Sequence, residues 1–221
     1  AGLLAYALQT GKSTLGPIGA ALGAWVVLGA LVDLGQRLGR GGLAERLARL
    51  TRLPRADWGK AMAHSGLGIT LFAVAAMNAW SIEDIRVVKL GESFALGSYQ
   101  VTLQAVNEVE GPNYSSTMAD MLVTKAGSEV ALLRPEKRVY PVQAMPTTEA
   151  AIDQGLFRDL YLVIGDPQDG GGYAVRGYIK PFADWIWGGA MLMALGGMFS
   201  LSDRRFRAAA GARRAVAVAA E

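Results

Sequence analysis

Three apolar runs and one alternating stretch organise the chain. The first run extends from about Leu15 to Leu34, opens at Gly16-Pro17 and carries Gly19 and Gly23 as a small-xxx-small pair. Such a pair lets a neighbouring helix approach closely in lipid. The second run is Trp58 to Trp80, with a tryptophan at each end, as the aromatic belts of a bilayer place them. The third, Phe182 to Leu201, follows Lys180-Pro181 and contains Trp185 and Trp187. Each run is close to the ~20 residues that cross a hydrocarbon core as a helix.

Residues 81–180 have a different period. Apolar and polar positions alternate through Ile85–Leu90, Tyr99–Val106, Met118–Thr124, Val130–Leu133, Leu160–Ile164 and Tyr173–Ile179, which predicts six short strands. Turn residues separate them at Gly97-Ser98, Gly111-Pro112-Asn113, Ala126-Gly127-Ser128 and Asp169-Gly170-Gly171-Gly172. Thr147–Ile152 reads as a short helical turn between strands. The expected fold is a membrane α-helical one with three transmembrane helices and an inserted all-β domain, a small antiparallel barrel or sandwich.

Charge sets the orientation. Arg37, Arg40, Arg46, Arg49, Arg52, Arg55 and Lys60 crowd the segment between the first two runs, against Glu45 and Asp57. Arg204, Arg205, Arg207, Arg213 and Arg214 follow the third run. Lys and Arg mark cytoplasmic loops, so both segments are expected inside. Residues 81–180 hold nine Lys/Arg against thirteen Asp/Glu and fall on the opposite side. The expected divisions are 1–14 as the end of a preceding segment, 15–34 as a span and 35–57 as a basic loop. Residues 58–80 form a second span, 81–180 the β domain, 181–202 a third span and 203–221 a basic tail. Leu43, Leu47 and Leu50 recur at helical spacing among the arginines, as in an amphipathic interfacial helix. No stacking aromatics accompany those arginines, so a nucleic-acid partner is not expected. Ala1–Leu8, apolar but short, resembles the tail of an earlier membrane helix, which points to a longer polypeptide.

The chain contains no cysteine, which excludes a disulfide framework, a thiol relay and a Cys-x-x-Cys-His haem attachment site within these 221 residues. It contains one histidine, His64, six residues into the second run and about 9 Å beyond Trp58 at helical rise. An ionisable group inside an apolar span is costly and marks a candidate site. A neutral imidazole in a dry site suits haem iron. Ala61, Leu67 and Gly68 share its helical face, and Ala61 and Gly68 leave room for a flat macrocycle. Lys60 could reach a propionate or snorkel to the interface. The residues equally allow a packed histidine bonded to a neighbouring helix. The β domain offers no catalytic constellation. Arg134-Pro135-Glu136-Lys137-Arg138 reads as a solvated strand end or as a receiver of acidic groups, and Gly111–Tyr114 as a turn.

A set of motifs nevertheless resembles a known family. Leu15-Gly16-Pro17, Trp58-Gly59…Ala63-His64-Ser65-Gly66, Gly111-Pro112-Asn113-Tyr114 and Pro135-Glu136-Lys137-Arg138-Val139-Tyr140 occur in order. Thr148-Glu149-Ala150, Arg158-Asp159-Leu160-Tyr161 and Lys180-Pro181-Phe182…Trp185-Ile186-Trp187-Gly188-Gly189 complete the set. Together they are similar to the C-terminal part of the CcmF family, the large membrane haem lyase subunit of bacterial cytochrome c maturation, and of its nitrite-reductase-specific paralogue. The resemblance implies a multi-pass protein of the bacterial inner membrane with its β domain in the periplasm. It implies attachment of haem to Cys-x-x-Cys-His thiols of apocytochrome c. Partners would include the other maturation subunits, among them the haem chaperone and the apocytochrome-binding subunits. His64 matches an axial ligand to the iron of a transmembrane haem b that helps reduce the incoming haem. The second axial histidine and the tryptophan-rich external loop of the family are absent from this chain. The alternative from another class is a membrane-anchored assembly scaffold without cofactor, whose β domain binds a partner protein.

Overall fold

The computed structural model describes residues 13–142 and 145–203. The preceding segment expected at 1–14 lies almost wholly outside them, as does the basic tail beyond 203. The chain divides into two compact units: a helical unit of residues 14–75 together with the segment from Trp185, and a β unit of 76–184.

Among the described residues four helices form: α1 (Leu15–Arg37), α2 (Leu43–Leu50), α3 (Arg55–Trp80) and α4 (Ala183–Leu201). α1 and α3 are long and apolar enough to cross a membrane by length and composition. α4, expected as a third span, is a 19-residue helix with Asp184 in its first turn. Pro17 sits in the first turn of α1, where a missing N–H costs no intrahelical bond. The chain leaves α1 through Gly39, at φ +67°, a left-handed conformation that glycine adopts without a Cβ clash. The start of α3 is capped from far away in sequence: the Ala56 N–H donates to the Asp203 carboxylate at 3.0 Å. A carboxylate there also complements the helix dipole. Trp58 Nε1–H donates to the Leu50 carbonyl at 3.2 Å, tying α2 to the start of α3.

α3 is the centre of the helical unit because small residues line two of its faces. On one, Gly68 meets Gly23 of α1: a Cβ placed on Gly23 would lie 2.6 Å from the Gly68 carbonyl oxygen. On the other, Gly66 and Gly59 meet Gly189 and Gly196 of α4, and a Cβ on either would come within 2.5 Å of a carbonyl oxygen. Backbones this close exchange dispersion contacts that larger side chains would prevent. Thr70 Oγ1 donates to the Ile186 carbonyl at 3.3 Å, and the rings of Phe72 and Trp185 sit 6.4 Å apart.

The β unit is two antiparallel sheets. One has the order β1-β10-β9-β8, the other β2-β3-β4-β6-β7, with β5 paired to β4. The strands are β1 (Ile82–Val88), β2 (Ser93–Leu96), β3 (Tyr99–Glu110), β4 (Ser115–Lys125), β5 (Ser128–Leu133), β6 (Glu136–Tyr140), β7 (Met145–Glu149), β8 (Ala151–Asp153), β9 (Arg158–Pro167) and β10 (Tyr173–Pro181). The inward face alternates as the pleat demands: Tyr99, Val101 and Leu103 on β3, Ala119, Met121 and Val123 on β4, Leu160, Leu162 and Ile164 on β9. Six strands were expected and ten form among the described residues. The helical turn expected at Thr147–Ile152 does not exist; those residues are in β7, β8 and the residue between. Lys137 and Glu136 of β6 pair with Thr148 and Glu149, so sheet pairing takes up a stretch whose β-branched threonines already favour extended backbone. The four expected turns fall between strands, the one at Ala126-Gly127 with φ of 49° and 81°.

Candidate functional site

His64 lies on the face of α3 that neither α1 nor α4 covers, in a stripe of exposed positions with Leu67, Leu71, Val74 and Asn78. Its Nδ1 is 2.8 Å from the carbonyl oxygen of Lys60, one turn earlier. A carbonyl can only accept, so Nδ1 carries the proton and donates. In the neutral form of the ring, this tautomer presents the lone pair of Nε2 away from its own backbone. A metal-bound histidine is normally arranged this way, with the other ring nitrogen tied to a carbonyl or carboxylate.

The ring borders a groove of about 380 Å³ lined by Trp25, Val26, Gly29, Ala30 and Asp33 of α1 and by Lys60, Ala61 and His64 of α3. Gly29 opens onto free space: a Cβ there would meet nothing within 4 Å. Ala61 keeps the near wall low, as the sequence predicts. Gly68 does not, since it is spent on the contact with Gly23. At the groove's polar end the Asp33 carboxylate accepts from Lys60 Nζ at 3.1 Å and from Arg37 Nε at 3.2 Å. Arg37 also reaches Asp57 at 2.5 Å. Lys60 therefore neither floats at an interface nor points into the groove unaccompanied. Sequence reasoning missed the α1 wall. Its signal was present in Trp25, Gly29 and Asp33, spaced four residues apart along one helical face.

The donor set suits haem in one respect and is incomplete in another. A single imidazole supplies one axial position, and small residues leave space beside it for a planar ring. Among the described residues no group of three or more His, Cys, Asp or Glu is placed to hold a bare metal ion.

The β unit's charges are mostly matched internally. Arg134 pairs with Asp120 at 2.7 Å, Arg138 with Glu136 at 2.8 Å, and Lys137 with Asp166. The segment 134–138 thus spends its cations on the domain's own carboxylates. The hydrogen bond from Arg138 holds the Glu136 carboxyl below the usual carboxylate range. Arg138 also lies over the Tyr114 ring, 4.5 Å from its centroid, and Tyr114 packs on Tyr140 at 5.6 Å. Asp159 is fully buried, with a hydrogen bond from the Gly155 N–H at 3.1 Å. Burial pushes its carboxyl up from the ordinary value.

Known proteins are similar to the chain along nearly its whole length. Residues 79–181 match the family model described as CcmF C-terminal beta-sandwich. The cytochrome c-type biogenesis protein ccl1 of Rhodobacter capsulatus is 57% identical over 221 residues, which cover 99% of this chain and 33% of that protein. The cytochrome c-type biogenesis protein CycK of Rhizobium meliloti is 40% identical over 221 residues, with 99% and 33% covered. The solved structure named Cytochrome c Heme Lyase CcmF superposes with a TM-score of 0.56 at 18% identity, over 81% of this chain and 34% of that one. That last likeness concerns the fold. The chain spans about a third of the length of the curated relatives it matches.

Proposed function

The chain belongs to the CcmF family and carries its C-terminal β-sandwich, and we propose that it serves cytochrome c maturation as one part of a membrane haem lyase. In this reading the whole protein joins haem to the Cys-x-x-Cys-His thiols of apocytochromes c. His64 would hold the iron of a transmembrane haem b through Nε2. Three helices, α1, α3 and α4, cross the inner membrane. The arginine-rich segment around α2 is cytoplasmic and the mildly acidic β unit periplasmic, an assignment supported by the positive-inside rule. The β unit meets the apocytochrome or other maturation subunits.

Bound haem iron supplies a one-electron centre that would help reduce the haem being delivered. The chain's own residues do the rest. The Nδ1–H bond to the Lys60 carbonyl fixes the imidazole's tautomer and orientation. Gly29, Ala30 and Ala61 leave space beside it, while Trp25 and Val26 give the groove apolar walls. Asp33, Lys60 and Arg37 form a charged lid at the polar end. A bis-histidine site takes its second histidine from outside these 221 residues, since His64 is the only one here.

The observation that carries the proposal is the bond from His64 to the Lys60 carbonyl, because it leaves Nε2 as a free donor on an uncovered helix face. The test is the absorption spectrum of the membrane protein purified in detergent, before and after His64→Ala. Loss of the b-type bands is expected. An unchanged spectrum removes His64 from the site.

A further inference from the structure

We propose that the hollow between the end of α1 and the start of α2 is a binding site for the phosphate-bearing headgroup of an anionic phospholipid. The inference rests on the membrane reading above. The cavity, about 500 Å³, is lined by Val32, Gly35, Gln36, Gly39, Arg40 and Arg46.

Three observations converge on it. The first is charge. Arg37, Arg49 and Lys60 in the same region are all matched by carboxylates: Asp33 and Asp57, Glu45, and Asp33 respectively. Arg40 and Arg46 form no ion pair among the described residues, yet both line this one cavity. Two guanidiniums that share a hollow and lack carboxylates repel each other until an anion sits between them, and their planar forks match phosphate oxygens.

The second is construction. The loop that carries Arg40 is not loose. Arg49 Nη1–H donates to the carbonyls of Leu38 at 2.7 Å and Arg40 at 3.0 Å, so α2 clamps the exit of α1. Gly35 contributes room, since a Cβ on it would meet nothing within 4 Å.

The third is position. The hollow spans the change from apolar to polar residues at the end of a helix long enough to cross a bilayer. Val32 lies at its apolar rim, and Leu28, Leu31 and Val32 expose an apolar track leading away from it. Leu43 and Leu47 of α2 are exposed beside it. A free phosphate ion would use the guanidiniums and leave this track unused. A phospholipid uses both, with acyl chains along α1 and the phosphate between Arg40 and Arg46.

The experiment is thermal unfolding of the full chain in detergent, titrated separately with phosphatidylglycerol, phosphatidylcholine and inorganic phosphate. Phosphatidylglycerol is expected to raise the midpoint, and the other two are not. R40Q with R46Q should shift the half-effective lipid concentration upward by about thirty-fold, from a contribution near that of two interfacial cations. R52Q with R55Q removes the same charge outside the cavity and should leave the response unchanged. Gly35→Leu keeps both arginines but fills the hollow, and should abolish the response. The proposal is overturned if inorganic phosphate or phosphatidylcholine acts as strongly as phosphatidylglycerol, if both double variants weaken the lipid equally, or if Gly35→Leu responds normally. Carbonate washing of membranes keeps the two readings apart. Release of the chain by the wash sinks the membrane reading itself, whereas retention with no lipid preference sinks only this site.

Discussion

His64 donates its Nδ1–H to the carbonyl of Lys60 at 2.8 Å, across a single turn of α3. The contact is local and needs no tertiary partner, only the His64 rotamer that brings Nδ1 back over the preceding turn. Its consequence is that, in the neutral ring, Nε2 is the nitrogen left with an available lone pair. The same turn places the Lys60 ammonium on Asp33 of α1. The imidazole's orientation and the charge at the groove's polar end are thus set within one helical turn.

That charge should be readable in the redox behaviour of the site. Asp33→Asn removes an anion beside the groove and leaves Lys60 and Arg37 unneutralised. A net cation disfavours the ferric state, so the midpoint potential of the haem proposed at His64 is expected to rise by some tens of millivolts. Lys60→Gln should lower it. A spectroelectrochemical titration of both variants checks the pair of signs; shifts in the same direction would contradict the placement of these charges at the haem.

The α3–α4 contact predicts a steep dependence on one methyl group. A Cβ on Gly66 would come within 2.5 Å of the Gly189 carbonyl oxygen, whereas one on Gly197 meets nothing within 4 Å. Gly66→Ala should cost about 1–3 kcal/mol through overpacking. Gly197→Ala should be neutral or slightly stabilising, because alanine favours helix. Thermal unfolding of the two variants in the same detergent compares them directly. Equal midpoints would mean that the Gly66 contact is not tight.

Asp159 gives the β unit a pH signature. Burial raises its carboxyl pKa, so the folded state holds the proton more tightly than the unfolded chain. Stability therefore falls as pH rises from the ordinary carboxylate value through the raised one, and is level above it. Asp159→Asn should flatten this slope while still accepting the Gly155 N–H. Asp159→Ala leaves that N–H without its acceptor and should cost about 1–3 kcal/mol at neutral pH. Hydrogen-exchange protection of the β9 amides as a function of pH reads both effects.

Much of the architecture was legible before the structure, because apolar period and charge asymmetry are local signals. The helices expected at 15–34 and 58–80 appear as Leu15–Arg37 and Arg55–Trp80. Their extra residues are polar and arginine-bearing, which a hydropathy boundary cuts off but helical hydrogen bonding does not. The long strands were visible in their alternation. β2, β6, β7 and β8 were not, since strands of three to five residues show too few alternations to stand out. Thr147–Ile152 was misread because Thr-Thr-Glu-Ala looks like a helix start; the deciding partner, β6, lies ten residues away and is invisible to a local pattern. At the site, His64 announced itself as the lone histidine in an apolar run. The role of Gly68 could not be told from spacing, because a helix face says which residues stand together and not which neighbour they meet. Asp203 as the cap of α3, 147 positions from Ala56, is of the same kind.

The most direct test of the central claim is chemical rescue of His64→Gly. The purified membrane protein should lose its low-spin b-type spectrum on substitution, and added imidazole should restore it by entering the space the side chain vacates. A spectrum unaffected by the substitution, or a folded variant whose lost spectrum imidazole cannot restore, would contradict ligation by His64.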